Sequence, residues 1–378
     1  MATPPRAAFL FSAKEDALAF LLPALVPLLL CPILDAAGAL GGKVPPLGFL
    51  LAVIFVDVAH VYATAYRVYM NPAELRRRPW LYSLVPLLCY ALGVLLYAGG
   101  PLRFWRALAY LAIFHFVRQQ YGWLALARRR DARAGSRLVQ RLDRLLDDAA
   151  IYLGTLYPLL YWHTHLPRAF SWFIDGDIAA GVPRGLLTVA TPIYAAVGAL
   201  WGLRYVHRSL LVRSWNLGKG LVMAGTWATW YVGIVTYDSD LAFTLCNVLP
   251  HGIPYLVLVF RYRRNEQAAS GQAASGQAAS GPTAAAGPAT GPRWLVPAAL
   301  AFYLPLVAAA WLEEAVWDRL VWHEHATLFP FAALPLSDAW LLFLVPLLSL
   351  PQSTHYALDA WIWRSGRQNP DLARFVGL

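Results

Sequence analysis

Four of the nine histidines in the chain, His60, His115, His251 and His355, fall inside long apolar stretches. An ionisable ring in such a setting is costly and normally faces a bundle interior or a functional cavity. Each has a polar companion at helical spacing. Asp57 precedes His60 by three residues, Gln119 follows His115 by four, Asn247 precedes His251 by four, and Gln352 and Asp359 flank His355 at three and four. Residues so spaced share a helix face, so these groups can point together into one space, with Thr64 one turn beyond His60. A metal-bound histidine usually passes its second ring proton to a carboxylate or amide. The pattern therefore predicts a metal centre with His60, His115, His251 and His355 as ligands. Asp57 and Asp359 are then additional ligands or orienting groups. A polar network that only packs the helices is the competing account.

The elements that must carry these rings follow from composition. Hydrophobic residues make up 59% of the 378 and charged residues only 14%, against about 45–50% and 25% in soluble proteins. Apolar blocks of about 20 residues recur, the length of helix that crosses a bilayer. Soluble, disordered, fibrous and disulfide-scaffold classes are excluded, and an all-α polytopic membrane bundle is expected. Ten spans can be read, at 17–37, 47–69, 80–98, 104–126, 149–166, 185–206, 218–236, 241–262, 294–312 and 338–363. With the N-terminus inside, 25 of the 31 Lys and Arg fall in cytoplasmic segments, and six (Lys43, Arg103, Arg106, Arg168, Arg184, Arg319) fall outside. Basic loops tend to stay cytoplasmic, so both termini are placed inside. The formal charge of +10 then reports topology and not a nucleic-acid partner. The four histidines lie on spans two, four, eight and ten, which all run inward. They stand 7, 13, 10 and 9 residues from Arg67, Arg128, Arg261 and Arg364. At about 1.5 Å per residue they share a layer roughly 10–20 Å deep.

Other features are subordinate. Residues 265–293, with QAASG three times and then Gly-Pro pairs, read as a flexible cytoplasmic linker between spans one to eight (1–264) and spans nine and ten (294–378). Leucines at helical spacing among arginines make 128–148 a helix docked on the anionic inner leaflet. Cys31, Cys89 and Cys246 lie in spans without CxxC spacing and read as small buried hydrophobes. The N-terminal apolar run lacks a cleavage signature. Many tryptophans, such as Trp80 and Trp363, sit at span ends as interfacial anchors. The outer pairs His163/His165 and His323/His325 read as a solvated rim beside Glu313, Glu314 and Asp318, or as a second metal site. Arg118, one turn after His115, is a candidate catalytic residue, pairing with Asp359 or a lipid headgroup, or else snorkels to the inner boundary. Prolines beside His251 and His355 would open the helices there.

Imidazole suits iron, zinc, copper and nickel. Iron that activates O₂ is preferred over zinc that activates water, because no acid/base constellation for hydrolysis is evident. The segment Leu249-Pro250-His251-Gly252, with the scheme of four intramembrane histidines, resembles the Brp/Blh family of bacterial membrane carotenoid-cleaving dioxygenases. The resemblance implies a multi-helix protein in which His60, His115, His251 and His355 hold iron. Where that family continues to an acidic residue, Ile253-Pro254-Tyr255 follows here, and the carotenoid substrate is not carried over. The expectation is an iron oxidoreductase of a bacterial inner membrane, acting on a lipid or isoprenoid drawn from the bilayer, with an electron-donor protein if it is an oxygenase. A proton-coupled transporter using Asp57, His60, His355 and Asp359, a zinc-dependent lipid hydrolase and a membrane scaffold remain alternatives.

Overall fold

The computed structural model describes residues 6–132, 135–274, 292–364, 366 and 369–377. Most of the described residues are helical, and Arg6–Ala8 makes a short parallel pairing with Ser214–Asn216. A helix lies at each of the ten expected spans. Seven are long and apolar enough to cross a membrane: Ala13–Ala36, Pro46–Arg67, Pro79–Ala98, Arg184–Val212, Asp240–Ser270, Leu295–Trp322 and Asp338–Ile362. The helices Pro101–Ala127, Arg137–Thr164 and Leu217–Trp230 are more polar or shorter. Two of the seven, Pro79–Ala98 and Arg184–Val212, bury only 11% and 6% of their apolar windows. Their exposed leucines, Leu87 and Leu95 on one and Leu200 and Leu203 on the other, suit a hydrocarbon surrounding in which every backbone group is satisfied within its own helix.

The chain divides into two compact units, 1–45 with 105–254 and 46–104 with 255–378. The division does not fall at the Ala/Gly/Ser/Pro segment. Helix continues through 265–274 and begins again at Pro292. The rest of that segment, with Arg133 and Arg367, lies outside the described residues.

In the first unit, side chains cap helices where the sequence changes character. Ser136 Oγ accepts from Val139 N at 3.3 Å, and Asn216 Oδ1 from Lys219 N at 3.0 Å. Both satisfy amides that a helix start leaves without a partner. The core joins Ile113, Phe116 and Val117 to Leu159, Trp162, Trp230 and Phe243. Trp227 donates from Nε1 to the Ala150 carbonyl at 2.9 Å. Its ring is seated against Gly154 and Gly198, where an added Cβ would stand 2.6 and 2.5 Å from ring atoms. Cys31 and Cys246 are buried with their sulfurs 3.8 Å apart.

In the second unit, Asn71 caps the Pro72–Arg77 helix, with Pro72 at its first position. A core of Ile54, Val58, Tyr66, Tyr255, Phe302 and Leu306 joins four helical segments. The last apolar stretch is two helices, Asp338–Leu348 and Leu350–Ile362, with Pro346 and Pro351 around the break. The Pro292–Trp317 helix, prolonged by a π-helical turn over Asp318–Trp322, corrects one expectation. Glu313 and Glu314 are buried within it and do not stand in an outer loop. The helix-favouring run Ala308 to Ala315 carries the spiral past the point where hydropathy falls. Arg67, counted above as a flanking charge, is 1% exposed. It pairs with Glu74 at 3.2 Å and lies over the Tyr262 ring. Glu74 also accepts from the Tyr82 hydroxyl at 2.5 Å. Burial would raise the Glu74 carboxyl, but Arg67, Tyr82 and Arg78 together hold it below its ordinary value.

Two outcomes follow from this packing. Gly154→Ala and Gly198→Ala should each lower stability by about 1–3 kcal/mol through overpacking against Trp227, measured by thermal unfolding in detergent. A carboxyl held low contributes stability that is full above its ordinary pKa of 4.5 and is lost as pH falls through the folded value. Acidification below that range should therefore destabilise the wild type. Glu74→Gln should flatten this acid dependence and, by stranding Arg67, cost about 3–5 kcal/mol at neutral pH.

Candidate metal centre

His60 and His355 form one pair in the second unit. Their ring centroids are 4.9 Å apart and their planes cross at 80°. His60 sits on the Ala59–Arg67 helix, directly after a π-helical stretch over Phe49–Val58. His355 lies one turn into Leu350–Ile362. The rings are 0% and 1% exposed. His115 and His251 form the corresponding pair in the first unit, at 5.0 Å and 82°. His251 follows another π-helical turn, Thr244–Val248, and Phe116 stacks on its ring at 3.5 Å and 8°. Wide π turns rotate the residues that follow them relative to an α-helix and often mark functional sites.

The predicted ligands are brought together two by two. Within each pair, His60 with His355 and His115 with His251, ring nitrogens come within 4.8 Å of each other, and all four residues are buried. A tetrahedral ion with metal–nitrogen bonds of about 2.0–2.1 Å would hold its nitrogens about 3.4 Å apart. Small ring movements would close each pair to that size. Neutral imidazoles in apolar surroundings are ligands for a borderline transition metal and poor partners for magnesium or calcium, which take oxygen.

The support around His355 is a chain of hydroxyls. Thr64 Oγ1 lies 2.7 Å from His355 Nδ1 and 2.8 Å from the Tyr255 hydroxyl. The Tyr255 hydroxyl donates to Asp359 Oδ1 at 2.8 Å. Each hydroxyl has one proton to give. With Tyr255 donating to Asp359, Thr64 donates to Tyr255 and accepts from His355 Nδ1–H. That order puts the proton on Nδ1 and turns the lone pair of Nε2 outward as the ligand. Trp363 Nε1 donates to the Tyr255 oxygen at 3.3 Å and secures it from the other side. Asp359 stands 3.7 Å from His355 Nδ1, so it acts through Tyr255 and Thr64. Asp57 Oδ1 stands 3.6 Å from His60 Nδ1, at pairing distance but beyond a hydrogen bond.

Other expected groups are placed differently. Asn247 is buried but donates to the Phe243 carbonyl at 3.1 Å, one turn back in its own segment. Arg118 is exposed, donates to the Tyr152 hydroxyl and covers the Tyr121 ring at 4.7 Å. Among the described residues it makes no ion pair, because the helix turns it to the same side as two tyrosines. The outer histidines have structural partners. His163 bonds the Tyr110 hydroxyl at 2.8 Å and the Leu159 carbonyl at 2.6 Å. His165 stacks on Tyr161 at 3.8 Å, and His325 stacks on Phe49 at 3.9 Å beside Asp318.

Sequence reasoning missed Tyr255. It is 1% exposed, and its ring meets His60 and His355 edge-on at 5.6 and 5.0 Å. The available signal was its place one turn after His251 in an otherwise apolar run.

Comparison with protein families, with curated proteins and with solved structures finds no match for this chain. Tyr255→Phe keeps the ring but removes both the donor to Asp359 and the acceptor for Thr64. Metal affinity should fall about 10–100-fold, read by chelator competition, with little change in helix content.

Proposed function

We propose that this protein is a membrane metalloprotein holding one transition-metal ion, iron before zinc, on His60, His115, His251 and His355. In this reading it acts as an oxidoreductase on a lipid-soluble substrate. The observation that carries the reading is that each unit brings two buried imidazoles together, His60 with His355 at 4.9 Å between ring centroids and His115 with His251 at 5.0 Å. Four imidazoles supplied by four different helical segments, each placed at cost in apolar surroundings, are more than packing requires. Iron bound there would supply O₂ chemistry, and the Brp/Blh resemblance on Leu249-Pro250-His251-Gly252 supports that choice.

The chain's own groups have defined tasks. The relay His355–Thr64–Tyr255–Asp359 fixes the tautomer and plane of one ligand. Phe116 holds the plane of His251, and Asp57 favours a proton on His60 Nδ1. Asp57 and Asp359 are thus positioning residues. Val58 and Ala59 before His60, and Phe116 and Val117 after His115, are buried and apolar, a setting that excludes water. The exposed leucine faces of Pro79–Ala98 and Arg184–Val212 support a lipid surrounding, from which an isoprenoid or acyl substrate would arrive laterally. A bacterial inner membrane and an electron-donor partner belong to this same reading.

A proton-coupled carrier is favoured by a different observation, the burial of Glu313 and Glu314 in a helix apolar enough to span. Elemental analysis of the purified protein separates the two. About one iron per chain is expected, lost when His60→Ala and His355→Ala are combined. Zinc at the same stoichiometry would redirect the reading to hydrolysis. Metal-free protein that drives pH-dependent flux in liposomes would replace it with the carrier.

A further inference from the structure

A cavity of about 500 Å³ opens in the first unit, built by residues with no part in the histidine cluster. Its walls come from the end of Pro101–Ala127 and the turn Arg128–Arg130, the start of Arg137–Thr164, the end of Arg184–Val212, and the start of Leu217–Trp230. Six cations line it: Arg128, Arg129, Arg144, Arg204, Arg208 and Lys219. Pockets of roughly 300–1,000 Å³ suit small ligands, and this one is too polar for an apolar guest.

The lining carboxylates are committed to the wall. Asp143 takes Arg204 Nε at 2.6 Å on one oxygen and Arg208 Nε at 3.1 Å on the other. Asp131 accepts from Asn216 Nδ2 at 2.8 Å and from Lys219 at 3.0 Å. Asp147 accepts from Trp201 Nε1 at 2.8 Å and faces Lys219 at 3.4 Å. Each of the six carboxylate oxygens has a wall donor, while Arg204 and Arg208 alone carry ten N–H groups between them. With every lining aspartate ionised, and with Arg128 also paired to Asp148 at 2.5 Å, the lining remains two charges positive. Such a surplus, with forked donors, matches an oxyanion of several acceptor oxygens, above all a phosphate.

The outer faces of the same helices are apolar and exposed. Leu138, Leu142 and Leu145 are 65%, 55% and 63% exposed. At 100° per residue they lie on the side of the helix opposite Asp143 and Asp147. Leu203, Leu210 and Leu211 are exposed beside Arg204 and Arg208. A cationic hollow flanked by leucines is shaped for a polar headgroup with acyl chains alongside, and the basic segments that form it are those assigned to the cytoplasmic side, where leaflets are anionic.

We propose that this cavity is a phosphate-binding site whose ligand is the headgroup of an anionic glycerophospholipid. A soluble phosphomonoester shares the chemistry and would compete for it.

The full chain in detergent, titrated with phosphatidylglycerol or phosphatidylcholine and read by native mass spectrometry, tests the assignment. Wild type should retain phosphatidylglycerol about tenfold or more over phosphatidylcholine, and Arg204→Gln with Arg208→Gln should abolish that preference. Arg137→Gln with Arg141→Gln, an equal charge loss on one of the same helices but outside the lining, should leave it intact. Asp143→Asn, which removes the competing anion, should strengthen retention several-fold, a gain that a structural role does not give. Calorimetry with glycerol 3-phosphate distinguishes the source. Displacement of the lipid supports the headgroup, and binding with the same variant pattern but no lipid preference assigns the site to a soluble phosphate. Equal lipid retention by wild type and the Arg204/Arg208 variant, or an equal loss in the Arg137/Arg141 variant, would overturn the site.

Discussion

Imidazole is tolerated among apolar helices only when its ring protons are given somewhere and its lone pairs are used, and this constraint organises the structure around the histidines. The second unit meets it with an ordered run of hydroxyls, from His355 Nδ1 through Thr64 and Tyr255 to Asp359. Because each hydroxyl gives one proton and the carboxylate only accepts, the run has one direction. That direction decides which nitrogen of His355 is presented as a ligand. Thr64, Tyr255 and Asp359 come from three different helical segments, so the packing of those segments is also the setting of one ring.

The first unit holds its ring in place differently, with aromatic surface. Phe116 lies flat on His251, while Trp162, Phe170, Trp172 and Phe243 build an aromatic wall of stacked, tilted and edge-on contacts. Stacking fixes the plane of a ring without consuming its nitrogens. π-Helical turns before His60 and before His251 add an angular adjustment that a regular spiral could not give. Charges away from the histidines follow a separate rule: Arg67, buried beside Glu74, and Lys219, shared by Asp131 and Asp147, are each neutralised where they sit.

Much of this was legible in residue types. The ten helical stretches follow from hydropathy and proline placement, and the four histidines stand out because ionisable residues are rare in such stretches. Asp57 and Asp359 could be named from three- and four-residue spacing alone. Spacing also misled. Asn247 shares a helix face with His251 yet spends its amide on the Phe243 carbonyl. Arg118 shares a face with His115 only approximately, and is taken by tyrosines. Glu313 and Glu314 looked like loop residues because hydropathy falls there, but helix continuity carries them into the core.

The sequence by itself determined that the chain is helical and apolar enough for a bilayer, and which rings fall inside its apolar stretches, since these depend on local composition and period. Tertiary structure alone decided that His60 meets His355 and His115 meets His251, that Tyr255 joins the support of His355, and that arginines read as topology signals wall a cavity. Convergence depends on how helices rotate and on where π turns shift their register. Those rotations are set by contacts between residues hundreds of positions apart, such as Thr64 with His355, which no periodicity along one helix can encode.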